Sequence, residues 1–159
     1  MRLDSDIKRD VEDELRWDPD LDAIDIGVTV HNGVVTLGGF VRSYIEKTQA
    51  ERDAKRVAGV VGVANDIEVR LPVVDERPDP EIVRDAVSAL KTELPFSSEN
   101  IRVIAKYGWL TLEGNVEWNY ARERAVNSVK NIRGLRGVTN SIAVKPRGAV
   151  IRFAWRRAG

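Results

Sequence analysis

Apolar residues recur at every fourth position in two places along the chain. Ile7, Val11 and Leu15 form one stripe; Ile82, Ala86 and Leu90 form another. This is the spacing of an amphipathic helix. Asp4 and Asp79 stand where a helix N-cap is expected, and Pro80 and Glu81 suit a first turn. The first helix should stop near Asp18-Pro19 and the second before Pro95. Strict alternation then replaces the helical spacing. Ile26, Val28 and Val30 alternate with Gly27 and Thr29, and Ile101 and Val103 alternate with Arg102 and Ile104, as in half-buried strands. Asn32-Gly33 is a strong signal for a type I′ hairpin turn, which needs positive φ at both central residues. At Tyr107-Gly108 the glycine suits that turn and the tyrosine suits it poorly, so a different turn is open there. Return strands follow over Val34 to Val41 and Trp109 to Val116.

A second helix is expected from Tyr44 to about Ala58, with Ala50, Ala54 and Val57 inward. Its counterpart runs from Tyr120 to about Arg133, with Ala125, Val129 and Ile132 inward. Gly59 and Gly134 sit where left-handed C-caps are expected. Final strands run from Val63 to Val69 and from Val138 to Val144. The two series are one series written twice. Residues 4–69 align with 79–144 without a gap, and 20 of the 66 pairs are identical. A fixed period marks a duplicated structural unit. The organisation is repeat 1 over 1–71, a proline-flanked linker over 72–78, repeat 2 over 79–145 and a tail over 146–159. The fold class is α+β: two α-β-β-α-β units, each a three-stranded sheet with two helices on one face.

The identical blocks carry a family resemblance. GVVTLGGFV (Gly33 to Val41) pairs with GWLTLEGNV (Gly108 to Val116), and GVVGVANDIEV (Gly59 to Val69) pairs with GLRGVTNSIAV (Gly134 to Val144). Both copies resemble the BON domain of bacterial osmotic-stress and nodulation proteins, over nearly all of residues 4–145. The resemblance implies a non-catalytic module of the envelope or osmotic stress response, with phospholipid association. Relatives often carry a third repeat after the KPR seen at Lys145 to Arg147. Here the chain turns into GAVIRFAWRRAG, which does not match, so the tail is either native or what remains of a longer chain.

Composition narrows the chemistry. The chain has no cysteine, which excludes disulfides and thiolate metal sites. No apolar run is long enough to span a bilayer, and the charged N-terminal segment does not read as a secretory signal; a cytoplasmic location is expected. Net charge is zero, but residues 1–71 hold 10 basic and 15 acidic side chains, while 146–159 hold four arginines and no acid. No dense basic face of a nucleic-acid binder is present. His31, the single histidine, should face solvent near a hairpin tip, with no recurring nucleophile or carboxylate beside it. Asp18, Asp20, Asp22 and Asp25 resemble the start of a calcium loop, but Ala23 and Thr29 replace its required glycine and glutamate. No enzyme activity, metal or cofactor is expected.

The candidate sites are therefore binding and structural. Gly33, Gly108, Gly62 and Gly137 read as backbone-geometry residues, and Asn65 and Asn140 as side chains bonding nearby backbone. The resemblance adds a functional role for the glycines. Ile104 and Trp109 point away from the helices, so they form a patch to be covered by repeat 1, by another chain through self-association, or by lipid. In the tail, Phe153 and Trp155 are interleaved with Arg152, Arg156 and Arg157. That mixture suits an anionic phospholipid interface, and equally a disordered end or an edge strand. A protein partner on the open sheet face, or sensing of a small ion such as potassium, are the alternatives.

Overall fold

A computed structural model describes residues 2–146. The fold is α+β, in two compact units, one ending at Val74 and the next beginning at Asp75. Unit 1 contains α1 (Asp4–Trp17), β1 (Ile26–His31), β2 (Val34–Val41), α2 (Tyr44–Lys55), β3 (Gly62–Asn65) and β4 (Glu68–Val69). Unit 2 contains α3 (Asp79–Glu93), β5 (Ile101–Lys106), β6 (Trp109–Val116), α4 (Asn119–Val129) and β7 (Gly137–Val144).

In each unit the return strand is central. β2 pairs antiparallel with β1 and parallel with β3 and β4. β6 pairs antiparallel with β5 and parallel with β7. The strand expected over Val63 to Val69 is interrupted in unit 1, where Ile67 turns into the core between β3 and β4. Both helices of each unit cover the same sheet face. Ile7, Val11 and Leu15 of α1 meet Ala50 and Ala54 of α2 over Val28, Val35, Leu37 and Val41. In unit 2, Ile82, Ala86, Leu90, Ala121, Ala125 and Val129 are buried with Leu110, Leu112 and Val116. Leu37 and Leu112 are each 0% exposed. Alanine occupies the α2 and α4 stripes because small side chains let a helix lie close to the sheet.

Several local expectations are corrected. Asp4 and Asp79 are not N-caps; they lie inside the first helical turn, and Leu3 and Pro78 hold the cap positions without a side-chain bond. The two carboxylates instead reach the hairpin turns. Asp4 accepts from the N–H groups of Asn32 (2.9 Å) and Gly33 (3.0 Å), and Asp79 from those of Tyr107 and Gly108, both at 2.9 Å. The second turn is consequently the same as the first. Asn32 and Tyr107 have φ of 50° and 51°, and Gly33 and Gly108 have 79° and 80°. A side chain strained at positive φ is held there by two charge-assisted bonds to its turn.

The second helices also end sooner than expected, at Lys55 and Val129. Gly59 and Gly134 do have positive φ, but they sit in the turns beyond those helices. Gly62 and Gly137 have no positive φ. They open the last strands instead. The close-approach glycines are Gly39 and Gly114, where a Cβ would fall 1.9 Å from the carbonyl oxygen of Asp25 or Asn100.

A second repeated device ties each helix pair together. Arg2 donates to the Ala58 carbonyl and pairs with Asp10. Arg77 donates to the Arg133 carbonyl and pairs with Asp85 at 2.8 Å. Each arginine stem lies beside the positive-φ glycine of the same turn, Gly59 or Gly134, which leaves room for it.

Candidate interaction site

The helix-free face of the unit 2 sheet is set by strand alternation. Cross-strand pairs Arg102–Glu113, Ile104–Thr111 and Lys106–Trp109 share that face. Thr139 and Gly137 of β7 lie beside Thr111 and Trp109. Ile104 is 42% exposed and Trp109 44% exposed. Trp109 is fixed on this surface rather than splayed from it. Its Nε1 donates to Thr139 Oγ1 at 2.7 Å. Its six-membered ring lies over Gly137, where a Cβ would come within 2.4 Å of the ring. Gly137 is thus a cradle for an aromatic ring and not a turn residue.

At the tip of the same hairpin, Tyr107 is 82% exposed. Lys106 precedes it, and Arg136 lies against Gly108. Exposed aromatic rings and cations are therefore gathered at one end of the unit 2 sheet. Ile104 and Trp109 were legible in the sequence as outward residues. Lys106 and Arg136 carry no such signal in the sequence, because their place at this tip follows from the turn type and from the parallel register of β7.

Unit 1 builds the same scaffold without this surface. Val34 takes the place of Trp109, and an added Cβ at Gly62 would meet nothing within 4 Å. His31 is exposed on β1 and contacts the Asn32 side chain at 3.3 Å. Asp18 and Asp22 accept from backbone N–H groups of Asp20 and Ile24. Among the described residues no cluster of three or more His, Cys, Asp or Glu could hold a metal ion.

Asn65 and Asn140 bond backbone at both ends of the side chain. Asn65 donates to the Lys47 carbonyl and accepts from Ile67 N–H; Asn140 donates to the Arg122 carbonyl and accepts from Ile142 N–H. They pin the second helix of each unit to the last strand. Arg152, Phe153, Trp155, Arg156 and Arg157 lie outside the described residues.

A family model described as the BON domain matches residues 3–70 and again residues 78–146. The chain belongs to the BON family. Among curated BON-type relatives, osmotically-inducible protein Y of Escherichia coli (strain K12) is 28% identical over 146 residues, covering 89% of this chain and 73% of that one. Two solved structures are also similar. One is CdsD, a structural protein of the type III secretion system of Chlamydia trachomatis, at 14% identity, 95% and 98% coverage of the two chains and a TM-score of 0.43. The other is the CdsD C-terminal domain, at 16% identity, 89% and 98% coverage and a TM-score of 0.34. As BON domains, both units are of a binding type. No helix among the described residues is long and apolar enough to cross a membrane.

Proposed function

We propose that this chain is a non-catalytic binding protein of an osmotic or envelope stress response, which associates with anionic phospholipid surfaces through unit 2 and the basic tail. The observation that carries the reading is the held Trp109, with Tyr107 and Lys106 beside it and no equivalent in unit 1. Tryptophan and tyrosine favour the bilayer interface because one end of the ring system is apolar and the other bonds water. A cation near an anionic leaflet adds about 1 kcal/mol. The likeness to an osmotically inducible protein supports the stress setting. A cytoplasmic site of action is part of the proposal and is checked by cell fractionation.

Co-sedimentation with phosphatidylglycerol-containing vesicles tests it. Binding should weaken as salt rises and be absent with neutral vesicles. Trp109→Ala and Lys106→Gln should each weaken it, the latter by roughly fivefold, the equivalent of about 1 kcal/mol. Binding that ignores lipid charge, or no binding at all, would remove the lipid reading. The second reading is a protein partner on the same face, favoured by the position of Ile104 and Thr111 in mid-sheet, away from the tip. Under it, Ile104→Ser should disrupt association while leaving vesicle binding untouched.

A further inference from the structure

Unit 1 contains a polar group that neither its core nor the open face accounts for. Asp53, on α2, is 1% exposed, among the alanines that pack on the sheet. Its Oδ2 is buried with no donor within reach. Its Oδ1 accepts from Gln49 Nε2 at 3.3 Å, and the same nitrogen donates to Asp18 Oδ2 at 2.8 Å. The two carboxyl groups therefore meet over one amide, where the end of α1 faces α2. Asp18 is further fixed by the Asp20 N–H at 2.8 Å.

The charged groups acting on Asp53 are Asp18 from the end of α1 and Arg56 along α2; Gln49 is neutral, and Asp20 reaches the pair only through its backbone. Arg56 is 3.9 Å away with its side chain largely in solvent, too remote to neutralise a buried anion. Two carboxyl groups that share one amide donor, one of them buried, disfavour each other as anions. A proton on Asp53 Oδ2 resolves both problems: it turns the orphan acceptor into a donor, and Asp18 is the acceptor in reach.

We propose that unit 1 binds a single proton between Asp18 and Asp53, closing α1 against α2, and that unit 2 has no such site. The equivalent positions of unit 2 are Glu93 and Ser128, with Arg124 in place of Gln49. Ser128 Oγ simply donates to the Ala125 carbonyl at 2.7 Å. Burial, then the hydrogen bond to Asp18, push the Asp53 carboxyl up from 3.8 to about 7, while the bond from Asp53 holds Asp18 below its ordinary range. The sign follows by linkage. The folded unit keeps a proton that the unfolded chain releases above pH 3.8, so unit 1 loses stability as pH rises from there to about 7, and loses no more beyond. Asp18 contributes the opposite slope only at more acid pH, where it takes up its own proton. The two titrate as one coupled pair.

The test uses the full chain with side-chain carboxyl carbons followed by NMR. Asp53 should titrate near neutral pH, with Asp18 shifting at the same midpoint. In parallel, amide exchange corrected for intrinsic rate should show α1 and α2 losing protection as pH rises from about 4 to about 7, with no further loss above, while α3 and α4 do not. Asp53→Asn, which carries a permanent donor to Asp18, should flatten the unit 1 profile. If that variant fails to fold, Asp53→Ser, the residue unit 2 uses, replaces it. Titration of Asp53 in the ordinary carboxylate range overturns the proposal. So does a unit 1 pH profile that persists in the variant, since the proton would then sit elsewhere.

Discussion

Single residues carry more of this fold than their type announces. Asp4 and Asp79 look like helix caps, and the sequence offers no reason to prefer anything else, because an N-cap and a long-range acceptor use the same carboxylate. What distinguishes them is distance: each spans to a turn in another element, so only the assembled unit reveals the role. Asp79→Ala should therefore destabilise unit 2 by about 1–3 kcal/mol, the cost of leaving the turn amides without their acceptor. Fast exchange at the Tyr107 and Gly108 amides, with α3 still formed, is the expected signature; loss of helix α3 alone would point back to capping. The glycines divide in the same way. Gly62→Ala should be nearly neutral, since its Cβ enters open space. Gly137→Ala should displace the Trp109 ring, shifting its fluorescence and weakening vesicle binding while unit 2 stays folded. Gly39→Ala should be far worse than either, because its Cβ would overlap backbone.

At the scale of elements, periodicity was a sound guide where a stripe faced the core. Ile7-Val11-Leu15 and Ile82-Ala86-Leu90 are buried as the spacing requires, and the strands alternate as expected. Boundaries were less legible. The apolar residues Val57 and Ile132 extend the stripes of α2 and α4 past their ends, so the pattern over-reads both helices into the turns that carry Gly59 and Gly134. The arginine ties are not legible in the pattern either: Arg2 and Arg77 precede their helices, outside the aligned repeat, and the carbonyls they bond lie 56 positions away. Leu37→Ala and Leu112→Ala should each cost their own unit about 2–5 kcal/mol, a large share of what a small domain has. Unfolding followed separately in each unit should show the loss confined to the mutated one. Equal loss in both units would mean that they unfold as a single cooperative block.

At the scale of the whole molecule, the duplication supplies an internal control. The turn aspartates, close-approach glycines and strand asparagines recur in both units, whereas Trp109 and Tyr107 of unit 2 and Asp53 and Gln49 of unit 1 do not, and the two proposals rest on those differences. Charge differs too, with the acidic surplus in residues 1–71 and four arginines in residues 146–159. If lipid association is electrostatic at first and then held by aromatic insertion, the tail and the Trp109 face should make separate contributions. A chain ending at Lys145 should bind anionic vesicles more weakly than the full chain, and rising salt should shrink that gap. Trp109→Ala should weaken both chains by the same factor and change the salt dependence little, because it removes no charge. The combination should lose the sum of the two effects, as independent contacts do. A tail deletion without effect would move the whole lipid contact into unit 2. A Trp109→Ala effect seen only in the full chain would instead mean that the tail and the sheet face act as one site.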